Sequence, residues 1–201
     1  MKSSYPAYIV GIGGSAGAVI AYKALLDALP SDTGMAFVIV SHILPSAQSQ
    51  LAELLSRHTK MPVVVASMAM PITANHVFVC PPNADLMIEH QAFKLVSPRT
   101  RNQQVDIFLR SLADAMGSLA IAVIFSGYDG DGTEGCRQIK AKGGTTFAQD
   151  LTAEVAGMPL SAQAAGCIDF MLPPRQIAGK LERLASAAIG RGRSIGAGNR
   201  I

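Results

Sequence analysis

Tyr8-Ile9-Val10-Gly11-Ile12-Gly13-Gly14-Ser15-Ala16-Gly17-Ala18 reads as an apolar strand, Tyr8 to Gly11, that enters a glycine-rich turn and leaves it as a helix. Glycines in such a turn permit a sharp change of direction and leave the backbone open to a ligand. The helix start beyond it offers unpaired N–H groups and a dipole that favours negative charge. A turn of this kind holds either a phosphate or a nucleophilic hydroxyl beside an oxyanion site.

Working outward, short apolar runs alternate with helical patterns, the signature of a parallel sheet covered on both faces. Further strands are predicted at Ala36 to Ser41, Pro62 to Val65, Val77 to Cys80, Leu119 to Ser126, Thr145 to Gln149 and Cys167 to Leu172. Helices are predicted over Ala18 to Leu29, Gln48 to His58, Val105 to Met116, Thr133 to Lys142 and Arg175 to about Ala188. Asp85 to Val96 reads as a hairpin turning at His90-Gln91. The expected fold is therefore α/β and doubly wound: a mostly parallel sheet with helices on both faces and an antiparallel hairpin at one edge.

The chain has 201 residues, 49% of them hydrophobic, and no Trp. That is enough for one domain with a full core, here residues 1–190, and 191–201 read as a flexible basic tail. A net charge of +3 with dispersed basic residues excludes a nucleic-acid surface as the leading reading. Arg191, Arg193 and Arg200 read as solvated, with an acidic partner as the lesser alternative. Cys80, Cys136 and Cys167 have no metal-type spacing and read as buried small hydrophobes in a reducing compartment. There is no secretory signal pattern and no run near the ~18 apolar residues of a membrane span. A cytoplasmic protein without membrane insertion is expected.

In an open parallel sheet, ligands bind beyond the carboxyl ends of the strands. Ser15 follows the first strand, Ser41-His42 closes the second, and Ser126-Gly127-Tyr128-Asp129-Gly130-Asp131-Gly132 follows the long one. A serine, a histidine and an acid on one rim make the inventory of a Ser-His-Asp site. The Ser15 hydroxyl needs a base to take its proton, and the imidazole of His42 titrates in the right range. An aspartate would hold that imidazole in one tautomer, and the N–H groups after Ser15 would receive an oxyanion. Each residue also has a plainer role. Ser15 would serve as a helix N-cap, His42 as a hydrogen-bonded loop histidine, and Asp129 or Asp131 as turn residues, Asp131 with Glu134 resembling a capping box. His58, His76 and His90 read as surface residues.

Three other readings are weighed. A nucleotide-binding Rossmann-like module would need glycine at Ala16 and an acid where the second strand ends in Ser41-His42. Gly13-Gly14-Ser15-Ala16-Gly17 matches the G-x-S-x-G elbow of α/β-hydrolases, but that fold puts strands before its serine and its histidine late. A non-catalytic signalling interaction domain has no feature in its favour.

The chain resembles the CheB-type protein-glutamate methylesterases of bacterial chemotaxis over about Tyr8 to Leu184. The resemblance rests on Val10 to Gly17, Ser41-His42-Ile43-Leu44-Pro45 and Val77 to Asn83, then Val105 to Leu109 with Ser111-Leu112-Ala113. Phe125-Ser126-Gly127 leading to Asp131-Gly132, Gly143-Gly144, Gln149-Asp150, Gly157-Met158-Pro159 and Ile168-Asp169 complete the series. It implies a triad of Ser15, His42 and Asp131, choosing Asp131 over Asp129, with the Ala16 and Tyr128 N–H groups as oxyanion donors. The implied reaction is hydrolysis of a glutamate γ-methyl ester on a chemoreceptor helix to glutamate and methanol, with glutamine deamidation at the same site. No metal or organic cofactor is implied. Ala16 stands where Thr or Ser is common, Asp85 where many members have His, and Gln103 where many have Pro. Pro82-Asn83-x-Asp85 and Gly130 to Thr133 are closer in wording to methylesterase domains of CheB–CheR fusions. Most members carry an N-terminal receiver domain, whereas the catalytic landmarks here begin at Tyr8. The expectation is different control or a piece of a longer protein, with a receiver domain or a methyltransferase as partner. Ser97-Pro98-Arg99-Thr100-Arg101 is a candidate for holding an acidic receptor helix, with a solvated loop as the equal alternative.

Overall fold

A computed structural model describes residues 5–41, 45–97 and 103–196. The chain folds into strands β1 (Ile9–Gly14), β2 (Ala36–Ser41), β3 (Val63–Val65), β4 (His76–Val79), β5 (Asp85–Glu89), β6 (Ala92–Val96), β7 (Ala120–Ile124), β8 (Thr145–Gln149) and β9 (Phe170–Leu172). The helices are α1 (Ala18–Ala28), α2 (Pro45–Ser56), α3 (Gln104–Met116), α4 (Thr133–Ala141), α5 (Gly157–Ala164) and α6 (Pro174–Gly196). Seven strands make one parallel sheet in the order β3-β4-β2-β1-β7-β8-β9.

That order sets where the site lies. The chain winds to one side of β1 through β2, then crosses back to lay β7 on its other side. The crevice above the carboxyl ends of β1 and β7 is thus the topological switch point, where open sheets bind ligands. Gly14 pairs with Ser41 and Gly13 with Ile124, so the three strand ends finish nearly level.

Both faces of the sheet are covered, because buried strands alternate their side chains between two apolar layers. Val10, Ile12, Phe37 and Ile39 pack under α1, α2 and α6 with Leu25, Leu55 and Leu181. Ile9, Val38, Val40 and Ile124 face Phe108, Leu109 and Leu112 of α3 and Ile139 of α4.

Four differences from the sequence reading have physical causes. First, β1 runs to Gly14, not Gly11, and its glycines are strand residues, not turn residues. They let α3 approach: a Cβ at Gly13 would collide with Cγ1 of Val105. Val105 is β-branched and stiff, so Gly13→Ala should destabilise the fold by about 1–3 kcal/mol as overpacking. A urea midpoint unchanged by this substitution would show that α3 can shift freely.

Second, the hairpin does not extend the main sheet. β5 and β6 pair with each other, turning at His90 and Gln91, whose φ of 49° and 64° suit a type I′ turn, and β6 is bridged at Ala92 by Pro71 of the preceding loop. Leu86, Ile88 and Phe93 instead join the layer under α3, and the Ile88 N–H donates to Ser111 Oγ at 3.1 Å. Burying its apolar face on a helix decided the hairpin's place. Third, α5 was not foreseen, since its Gly-Met-Pro start carries no helical stripe. Fourth, α6 continues beyond the expected Ala188 to Gly196, so its range includes Arg191 and Arg193. Arg200 lies outside the described residues.

Candidate active site

Ser15 follows β1 directly, and its N–H donates to the Ser126 carbonyl at 2.8 Å. Helix α1 begins later: its N-cap is Gly17, at φ 74°, with no side-chain cap. The capping role open to Ser15 is therefore not used. The residue is only half-buried at the switch point.

Asp131 is likewise no cap for the helix it precedes. The N-cap of α4 is Gly132, again without a side-chain bond, and Glu134 pairs outward with Arg137. The capping-box alternative fails for that reason. The Asp131 carboxylate instead reaches the start of α3, accepting the Val105 N–H on Oδ2 and the Asp106 N–H on Oδ1, each at 2.9 Å. It is 4% exposed. A buried carboxylate held by two amides at a helix N-terminus is fixed in direction. Asp129 has the turn role: its Oδ1 accepts the Asp131 N–H at 3.1 Å. Asp106 braces the arrangement by accepting the Gly135 N–H at 2.7 Å. Burial, and beyond it the nearby Asp131 charge, raise the Asp106 pKa above its ordinary value, against the backbone bonds.

His42 follows Ser41, which pairs with Gly14, the residue before Ser15. His42 itself lies outside the described residues, as does the 98–102 segment that contains Arg99 and Arg101.

The two expected oxyanion donors stand apart from their neighbours. Ser15 N–H and Gly127 N–H are committed, the latter to the Val155 carbonyl at 2.9 Å. The amides of Ala16 and Tyr128 donate to no group among the described residues. Tyr128 is 78% exposed, and its carbonyl lies against Gly157 at the start of α5.

Ser126 is a residue whose role was not assigned from sequence, though its side chain ties the site together. Its hydroxyl donates to the Ala16 carbonyl at 2.6 Å and accepts the Val155 N–H at 2.9 Å. One buried side chain thus joins the turn after Ser15 to the segment before α5. Ser126→Ala should leave the half-buried Val155 amide without its acceptor, costing about 1 kcal/mol. Loosening the Ala16 turn should lower kcat roughly tenfold; urea melts and ester turnover would check both. Met158 was also missed. It is fully buried, and a Cβ on Gly127 would collide with its sulfur and lie 3.2 Å from Ser15 Cβ. Its apolar bulk therefore walls the crevice behind the serine. Gly157-Met158-Pro159 was visible as a landmark, but nothing local in it signals that placement.

Beside Gly17 a cleft of about 270 Å³ runs between α1 and the loops after β8 and β9, with Ile20, Thr152, Glu154 and Arg175 on its walls.

Residues 10–181 match the family model for the CheB methylesterase. The chain belongs to the CheB methylesterase family. Its fold overlays the Thermotoga maritima CheB methylesterase catalytic domain with a TM-score of 0.83 and 30% identity, covering 88% of this chain and 98% of that one. A protein-glutamate methylesterase/protein-glutamine glutaminase from Burkholderia orbicola is 37% identical over 86% of this chain and 52% of its own length. A putative one from Leptospira interrogans is 32% identical over 90% of this chain and 95% of its own length. The chain thus spans about half the length of the Burkholderia CheB relative and nearly all of the Leptospira one.

Proposed function

We propose that this chain is a serine esterase that hydrolyses glutamate γ-methyl esters on chemoreceptor helices, releasing methanol, and that it also deamidates glutamine. Ser15 Oγ attacks the ester carbonyl while His42 takes its proton. Asp131 orients His42 and stabilises its charged form. The developing oxyanion is received by the Ala16 and Tyr128 amides, and His42 then protonates the departing methanol. Water, activated by His42 in turn, releases the acid and restores Ser15. An amide nitrogen leaves by the same path as ammonia, which is why one site serves both reactions.

The observation that carries this reading is the start of each neighbouring helix. Gly17 and Gly132 occupy the N-caps, so Ser15 and Asp131 are withheld from capping and stand at the switch point. The membership of the CheB family supports the substrate.

Among the described residues no helix is long and apolar enough to cross a membrane. Three free cysteines fit a reducing compartment, and the cytoplasm is the proposed location. Methylated receptor is the proposed protein partner, and a receiver domain or a methyltransferase the proposed regulatory one.

The test is methanol release from methylated receptor. The rate should rise with pH through the imidazole titration, roughly between pH 5 and 8. A rate independent of pH across that range would argue against a histidine base.

A further inference from the structure

Most large apolar side chains of this fold are buried, and three that are not stand around the crevice. Among the described residues Leu151, Tyr128 and Ile20 are the most exposed large hydrophobic side chains, Leu151 at 85% and Ile20 at 69%. Ile20 lies in the first turn of α1, Tyr128 in the loop after β7 and Leu151 in the loop after β8. Hydrogen bonds tie these elements to the turn after Ser15. Ser126, two residues before Tyr128, donates to the Ala16 carbonyl, and Gln149, two residues before Leu151, accepts the Ser126 N–H on Oε1 at 3.2 Å. Single exposed apolar residues need no explanation, but a group of them on one rim marks an interaction site.

A helical substrate is forced into contact with this rim. A glutamate carries its ester carbon roughly 4 Å from its Cα, across three bonds of about 1.5 Å each. A helix with its side chains is about 10–12 Å across. When such an ester reaches Ser15, the flanks of its helix therefore press on the crevice walls. Side chains one turn apart on a helix are about 5–6 Å from each other, and two residues of chain, as from Ser15 to Gly17, span at most about 7 Å. The substrate side chain one turn from the ester thus falls at the mouth of the cleft beside Gly17.

The lining of that cleft decides what enters it. Ile20, Ala21, Ala24, Pro173 and Pro174 give it apolar walls, and its volume of about 270 Å³ has room for a large side chain. Glu154 and Arg175, also on its walls, carry opposite charges, so no net charge draws an ion there.

We propose that Ile20, Leu151 and the cleft beside Gly17 form a docking surface for the substrate helix, which seats an apolar side chain one turn from the ester in that cleft. The choice of occupant rests on the esterase reading, and the surface extends that reading from the ester to its flanks. Contacts at the flanks are the same before and during the reaction, so they select substrates through KM and not through kcat.

The experiment uses two helical peptides, each with one glutamate γ-methyl ester. One has leucine four residues to either side of the ester, and its twin has serine. Fluorescence anisotropy gives Kd and methanol release gives kcat and KM, for the wild type and for Ile20→Ser combined with Leu151→Ser. N-acetylglutamate γ-methyl ester, too small to reach the rim, is the control substrate. The wild type should bind the leucine peptide about tenfold or more tightly than the serine peptide, with kcat values within about twofold. The double variant should lose most of that preference, while its turnover of the small ester and its melting temperature stay those of the wild type. Equal Kd values for the two peptides on the wild type would overturn the proposal, as would a preference unchanged in the double variant. So would an equal loss of small-ester turnover, the mark of a damaged crevice. Self-association that the double variant abolishes, with no preference between the peptides, would assign the rim to a second copy and overturn it too. Binding is read without turnover. A wild type that prefers the leucine peptide through Ile20 and Leu151, yet releases no methanol, would sink the esterase reading and leave the docking surface standing.

Discussion

Ser15→Ala should lower kcat for methanol release by on the order of 10⁵- to 10⁶-fold, with little change in KM. The attacking oxygen is removed, while the Ala16 and Tyr128 amides and the crevice walls stay in place. Stability should stay within about 0.5 kcal/mol, because the variant keeps the Ser15 amide bond to the Ser126 carbonyl and leaves the N-cap at Gly17 intact. The separation of the two effects is the point of the test. Methanol release by this variant at more than about one hundredth of the wild-type rate would remove Ser15 as the nucleophile.

Asp131→Asn should cost about 10⁴-fold in kcat, the scale seen where a triad aspartate loses its charge and the histidine its tautomer. Here the substitution also carries a structural penalty. Both carboxylate oxygens accept amides of α3, and an asparagine has one carbonyl oxygen for two N–H donors. One buried amide would face an NH₂ group, so a stability loss of about 1–3 kcal/mol accompanies the loss of rate. Asp129→Asn is the control. Its carbonyl can still accept the Asp131 N–H, and turnover should change by less than about threefold. Should the two variants lose rate equally, the assignment of the acid would be wrong.

The comparison between Asp129 and Asp131 shows where local reading stops. Both follow the same strand within a glycine-rich turn, and nothing in their spacing tells them apart. Their difference lies in α3, whose start at Gln104 to Asp106 comes from a different part of the chain. The resemblance to CheB chose Asp131, and the two amide bonds support that proposal. Ser15 is a similar case. Serine before a helix reads equally as a cap or a nucleophile until the cap is seen to fall on Gly17.

Gly11 and Gly13 were legible as important and misread in purpose. A glycine spaced along a strand looks the same whether a ligand or a helix approaches its backbone. Only the packing of Val105 and Leu109 against β1 distinguishes the two. The hairpin was legible as a hairpin because its turn and alternation are local. Its docking under α3 depends on which apolar face is left to cover, and that is a property of the assembled layers.

Resemblance to CheB named Asp131; from the amino-acid order alone came the α/β class, most strand and helix positions and the rim on which polar residues gather. Those follow from periodicity, turn chemistry and motif order, all of which act over short stretches of chain. Tertiary structure alone decided which carboxylate is anchored at the start of α3 and that Ser126 ties two loops together. Each is a contact between segments far apart in sequence. Such contacts form only when burial of the two apolar layers fixes the strand order β3-β4-β2-β1-β7-β8-β9.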